Sequence, residues 1–89
     1  MAEQLVTESG VAKNVTSTNQ ITDFPCRLVG FYVNNTSAGT IVIRDGIAGG
    51  VALSGTITPA VGFHPFPVAV TKLHVTIANT LDVTVFYTT

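Results

Sequence analysis

Cys26-Arg27-Leu28-Val29-Gly30-Phe31-Tyr32-Val33-Asn34 is the stretch on which the fold turns. It holds one charge among aliphatic and aromatic residues, the composition that fits a pleated, packed surface. Side chains two apart in a strand share a face. One face is then Cys26, Leu28, Gly30 and Tyr32, and the other is Arg27, Val29, Phe31 and Val33. Both are largely apolar, so the strand is expected to be central and covered on two sides, or to turn one side to a partner. Gly30 in mid-strand marks a bulge or a close backbone approach.

The same grammar continues downstream. Asn34-Asn35-Thr36-Ser37-Ala38-Gly39 reads as a hairpin loop, because Asn and Gly tolerate positive φ. Thr40–Arg44 follows as a strand, and Asp45-Gly46 to Gly49-Gly50 as a loop. Val51–Thr58 alternates, with Val51, Leu53, Gly55 and Ile57 inward. Pro59-Ala60-Val61-Gly62 turns the chain into Phe63–Val70. There Pro65 and Pro67 each lack a backbone donor on the same side, which marks an edge strand. Leu73, Val75 and Ile77 alternate with His74, Thr76 and Ala78. After Asn79-Thr80, the strand Leu81–Thr88 points Leu81, Val83, Val85 and Tyr87 to the core.

Upstream, Val11–Ser17 and Gln20–Asp23 read as short extended pieces closed by Phe24-Pro25, and residues 1–10 as an extended arm. Turn signals every 8–12 residues and no helical periodicity predict an all-β fold. The expectation is a small antiparallel β-sandwich of seven or eight short strands over residues 11–89, with the jelly roll as one form of it.

Only 10% of the 89 residues are charged, against roughly 25% in ordinary soluble domains. The net charge is −1, and Lys13, Arg27, Arg44 and Lys72 are scattered, so no basic patch for nucleic acid is expected. No apolar run approaches the ~18 residues of a membrane span. The first residues lack the basic and apolar regions of a signal peptide, so synthesis in the cytoplasm without export is expected. Asn14-Val15-Thr16 and Asn34-Asn35-Thr36 match glycosylation acceptors, read as coincidence in that setting. A domain this small buries only about 60% of the surface its unfolded chain exposes. Cys26 is the only cysteine, which rules out an intrachain disulfide and reads as a small buried apolar residue. Partners are the remaining source of stability, and a homo-oligomer is expected.

Residue chemistry offers no catalytic constellation. His64 and His74 lack a ligand at metal-binding spacing and read as surface or interface residues. Asp45 and Asp82 read as turn chemistry, with Asp45 accepting bonds from loop N–H groups. Ser37 and Ser54 lack the strand–turn–helix setting of a nucleophile elbow. Gly46, Gly49 and Gly50 are not followed by a helix that would hold a phosphate. No enzyme activity, metal or cofactor is expected. Phe31, Tyr32, Phe63, Phe66, Phe86 and Tyr87 could line a sugar platform, but strand aromatics at these spacings are read mainly as core. The Phe63–Pro67 edge is the exception, and Phe63 and Phe66 are the partner-binding candidates there. Leu5 and Val6 are the candidates in the arm.

Several segments together carry a resemblance: Leu28 to Asn35, Ala38 to Gly46, Gly62 to Pro67, Leu73-His74-Val75-Thr76, and Asp82 to Tyr87. This outline of an Asn-terminated opening strand, a "Gly-Thr…Asp-Gly" hairpin, a "Phe-Pro" segment and a "Asp-Val-Thr-Val…Tyr" end is similar to small all-β virion proteins of tailed bacteriophages. It spans roughly residues 26–88, and its motifs are structural. The resemblance implies a capsid decoration (cement) protein that binds the major capsid protein on the shell exterior, with a trimer favoured. The alternative it implies is a head-fibre or tail-fibre component with a glycan-binding role. Its implied location is the virion surface.

Overall fold

The computed structural model describes residues 10–89, and the proposed arm anchors Leu5 and Val6 lie outside the described residues. Among the described residues six strands run in chain order: β1 (Val11–Val15), β2 (Asn19–Gln20), β3 (Cys26–Asp45), β4 (Val51–Ala52), β5 (Gly62–Val70) and β6 (Leu73–Thr88). All pairings are antiparallel, and among the described residues there is no helix. The all-β antiparallel class expected from the sequence is therefore the observed one.

The frame is a ribbon of two long strands. β3 pairs with β6 from Arg27↔Thr88 to Asp45↔Leu73. Straight, the 20 residues of β3 would span roughly 65 Å. The longest dimension of the molecule is 43 Å. The ribbon must therefore double back, and the contacts at its ends show that it does. Cys26 pairs with Val70, while the Asp45 carboxylate accepts a bond from the next residue, Thr71, at 3.0 Å. Both ends of β3 thus meet at one turn.

The expected hairpin at Asn34–Gly39 is the elbow of this ribbon, not a loop between two strands. The positive φ anticipated for its Asn and Gly residues falls within this segment on Ala38 instead, Gly39 serves close approach, and both partners bend together and stay paired. Ala38 on β3 and Asn79 on β6 both lie in the left-handed region, at φ 54° and 62°, and the Asn79 side-chain amide donates to the Ala38 carbonyl at 2.9 Å. A Cβ on Gly39 would lie 2.2 Å from the Thr80 carbonyl oxygen, so only glycine fits. Register shifts after Leu28, Val33 and Ser37 place the extra residues on β3. Such bulges bend the strand that carries them and increase its twist.

One arm of the ribbon is flanked by β1 on β6 and by β5 on β3. The other carries β2 on β6, and β4 with the isolated bridge Ile41↔Ile57 on β3. The hydrogen bonds join all six strands into one folded sheet. β5 pairs with β3 alone, the edge position its two prolines predict. A single core cluster draws on both arms: Leu28, Phe31, Val33, Val83 and Val85 from one, and Ile41, Ile43, Leu73 and Val75 from the other. Cys26 belongs to it as a buried free thiol.

Two further expectations change. The strand Val51–Thr58 reduces to Val51–Ala52, with Val51 and Gly55 exposed and Leu53 and Ile57 half-buried. The two apolar faces of Cys26–Asn34 are resolved by the bulge at Val29. Cys26 and Leu28 point inward before it, and Phe31 and Val33 after it, so one core face is stitched from both parity classes. The residues left outside are Arg27, Val29, Tyr32 and Asn34.

Candidate functional site: an apolar depression on the outer sheet face

The bulge that completes the core also builds an outer patch. Val29 and Tyr32 are put outside, 39% and 42% exposed, beside Phe63, at 48%. Gly30 lies between its partners Phe86 on β6 and Pro65 on β5. Having no side chain, it leaves room above the sheet. A Cβ there would fall 2.8 Å from Phe63 Cζ and 2.5 Å from the His64 carbonyl oxygen. Phe63 fills this space and meets the Phe86 ring at 6.0 Å between centroids, tilted by 58°. That is within the range of favourable edge-to-face contacts. Val29, Tyr32, Phe63 and Phe86, with Gly10 at the rim, line an open depression of ≈ 440 Å³. Of those side chains only Tyr32 carries a polar atom.

The two partner-binding candidates on β5 are separated. Phe63 belongs to the outer depression, whereas Phe66 is half-buried and packs against the core. Pro65, Phe66 and Pro67 line a smaller hollow of ≈ 260 Å³ on the edge. The six aromatics considered for a platform also split: Phe31 and Tyr87 are core, and Tyr32, Phe63 and Phe86 face out. Val29 was missed as a site residue, and Tyr32 and Phe86 were weighed as platform aromatics but read mainly as core. The signal that groups them is Gly30 itself, a strand glycine paired with Phe86 across the ladder.

The polar residues hold the frame. Asp45 Oδ1 accepts from the Thr71 hydroxyl at 2.7 Å and the Thr71 and Lys72 amides at 3.0 and 3.3 Å, as its turn role predicts. The Thr71 hydroxyl, followed by these amides, holds its carboxyl below the usual range. Asp82 sits within β6 instead of in a turn, and its Oδ1 accepts from Asn14 Nδ2 at 2.7 Å and Asn34 Nδ2 at 3.3 Å. The Ser54 hydroxyl accepts from the Ile43 amide at 3.0 Å and donates to the Gly55 carbonyl.

Neither histidine is simply a surface residue. His64 stacks on Phe31 at 5.3 Å and its Nε2 lies 2.7 Å from the Ala60 carbonyl. His74 is 3% exposed, with Nδ1 3.1 Å from Gln20 Oε1 and Nε2 buried without a partner. It points away from Leu73 and Val75, as alternation predicts, but β2 and Arg44 cover that side. Burial, and then the nearby Arg44 guanidinium, push its pKa down. Among the described residues no three His, Cys, Asp or Glu side chains come together as metal ligands.

No protein-family model, no curated protein and no solved structure matches this chain.

Proposed function

We propose that this chain is a binding protein without catalytic activity, a capsid decoration protein that attaches to the major capsid protein on the outside of a phage shell. The observation that carries a binding role is the outward apolar depression around Phe63. A small, charge-poor domain that leaves Val29, Tyr32 and Phe63 exposed side by side offers a surface suited to a protein partner. The virion setting rests on the resemblance of residues 26–88 to small phage structural proteins. Association into a homo-oligomer, a trimer in the first instance, fits the same economy of core and charge.

The test is co-sedimentation with capsids stripped of the protein. Phe63→Asp is expected to weaken attachment at least tenfold, about 1.4 kcal/mol, while the circular dichroism of the free protein keeps its β signal. Unchanged attachment would remove the depression from the interface. Light scattering of the free protein checks assembly, and a monomer of 9.3 kDa at micromolar concentration contradicts the oligomer. The second reading, a fibre component that binds glycan, draws on the open Tyr32, Phe63 and Phe86 rings. Tens rather than hundreds of copies per particle, with glycan binding lost in Phe63→Asp, would favour it.

A further inference from the structure

We propose that His74 is a proton-operated latch: when its ring takes up a second proton, the strap Thr18–Thr22 lifts off β6 while the rest of the folded sheet stays paired. This lies apart from the outer depression and holds whatever that surface binds. The strap contains β2, and its backbone is tied to β6 in one short run. Thr18 Oγ1 accepts from the Ile77 amide at 2.9 Å, and Asn19 and Gln20 pair with Val75 and His74. The Ile21 and Thr22 amides donate to the Leu73 carbonyl at 2.8 and 3.1 Å, and the Thr22 hydroxyl accepts from the Leu73 amide at 3.0 Å. Among the described strands β2 pairs with β6 alone, so the strap can leave without breaking the β3–β6 ribbon.

Gln20 decides where the proton can go. Its Nε2 donates to three carbonyls, of Gly46 at 2.7 Å, Thr22 at 2.8 Å and Leu73 at 3.2 Å. Turning the amide over would set its oxygen against all three, so Oε1 is fixed toward His74 Nδ1, 3.1 Å away, as an acceptor. Nδ1 therefore carries the hydrogen of the neutral ring, and the lone pair falls on Nε2, which is buried without a partner. A second proton can enter only there, as a buried N–H with no acceptor on a ring that is now charged. The charged group facing that ring is the Arg44 guanidinium across the ladder on β3, held by Thr76 Oγ1 and the Gly50 carbonyl at 3.0 Å each. β2, the loop Gly46–Gly50 and β4 contain no ionisable residue. The described carboxylates are engaged elsewhere or in water: Asp45 bonds the Thr71–Lys72 turn, Asp82 bonds Asn14 and Asn34, and Asp23 is exposed, as is Lys72. The imidazolium is relieved only by reaching water, and the cover it must shed is the strap.

The experiment is amide hydrogen exchange on the full chain between pH 7 and pH 5, normalised to the intrinsic rates, with nitrogen-15 spectra of the imidazoles. At pH 7 the spectra are expected to show His74 protonated on Nδ1 and bare on Nε2. Below the ordinary histidine value of about 6.5, opening takes up one proton, so protection of the Ile21 and Thr22 amides should fall about tenfold per pH unit. Protection at Val83 and Val85, on β6 between β1 and β3, should hold over the same range. In His74→Gln, which cannot take up the proton, protection of the strap should no longer depend on pH. Strap protection that is constant in the parent chain, or that is lost together with Val83 and Val85, would overturn the proposal. So would a proton found on Nε2 at pH 7, or an unchanged pH dependence in His74→Gln. The parent measurements decide the matter even where that variant fails to fold.

Discussion

At the scale of single residues, Gly30 has two tasks that only the absence of a side chain reconciles. It lets β5 approach β3, and it leaves the space in which Phe63 meets Phe86. Gly30→Ala is expected to destabilise the fold by about 1–3 kcal/mol, as overpacking does, and to separate the two rings. Denaturant midpoints read the first effect and ring-proton contacts the second. His74 and Asp45 set the response to acid. Both have folded pKa values below those of the unfolded chain, so on acidification the unfolded chain takes up protons first and stability falls. For His74 the loss begins near its ordinary value of about 6.5 and continues down to the lowered folded value. For Asp45 it begins near about 3.9 and ends below it. Melting temperature against pH should therefore drop in two steps. His74→Gln should flatten the upper step and Asp45→Asn the lower one. An upper step that survives in His74→Gln would assign it elsewhere.

At the scale of elements, the bulge at Val29 is the decisive local event. Removing Val29 erases the extra residue and would send Phe31 and Val33 outward. Loss of a buried Phe alone costs about 3–5 kcal/mol, against a total stability of about 5–15 kcal/mol for a domain. Deletion of Val29 should thus leave the chain unfolded by circular dichroism, whereas Val29→Thr should stay within about 0.5 kcal/mol of the parent. The same element shows what was legible in the sequence. Strict alternation revealed the core side of β6 at Leu73, Val75, Leu81, Val83, Val85 and Tyr87, because each arm of β6 keeps its own regular alternation. It failed on β3, where an inserted residue changes parity without changing composition. Gly30 announced a bulge but not its consequence, so Tyr32 and Val29 could not be placed outside. The Asn34–Gly39 signals marked a change of direction, but the left-handed residue is Ala38 and not an Asn or Gly, and a hairpin loop and an elbow need the same composition. Only the partner strand distinguishes them. Val51–Thr58 failed differently: its alternation is real, but only Val51 and Ala52 form a strand.

At the scale of the whole molecule, the site and the core are two faces of one doubled ribbon. That is why the partner-binding surface could be read only in part from the sequence. Phe63 was visible as an exposed edge aromatic, but its companions Val29, Tyr32 and Phe86 come from two other strands. The doubled ribbon also sets a tempo. β1 joins β6 from Val11 to Tyr87, and Arg27 pairs with Thr88, so one arm of the ribbon is closed by pairings that span most of the chain. Little local pairing rewards the chain on the way, since the described residues hold no helix and even the ribbon pair nearest in sequence, Asp45↔Leu73, joins distant segments. Chains dominated by such distant pairings fold in roughly milliseconds to seconds, far slower than helical domains of equal size. Stopped-flow refolding of this protein should fall in that slow window, and completion within tens of microseconds would contradict the ribbon as its organising pair. A nascent copy therefore spends its early life with β1 and the β6-facing edge of β3 unpaired, open to adhesion to other chains, until β6 arrives between them.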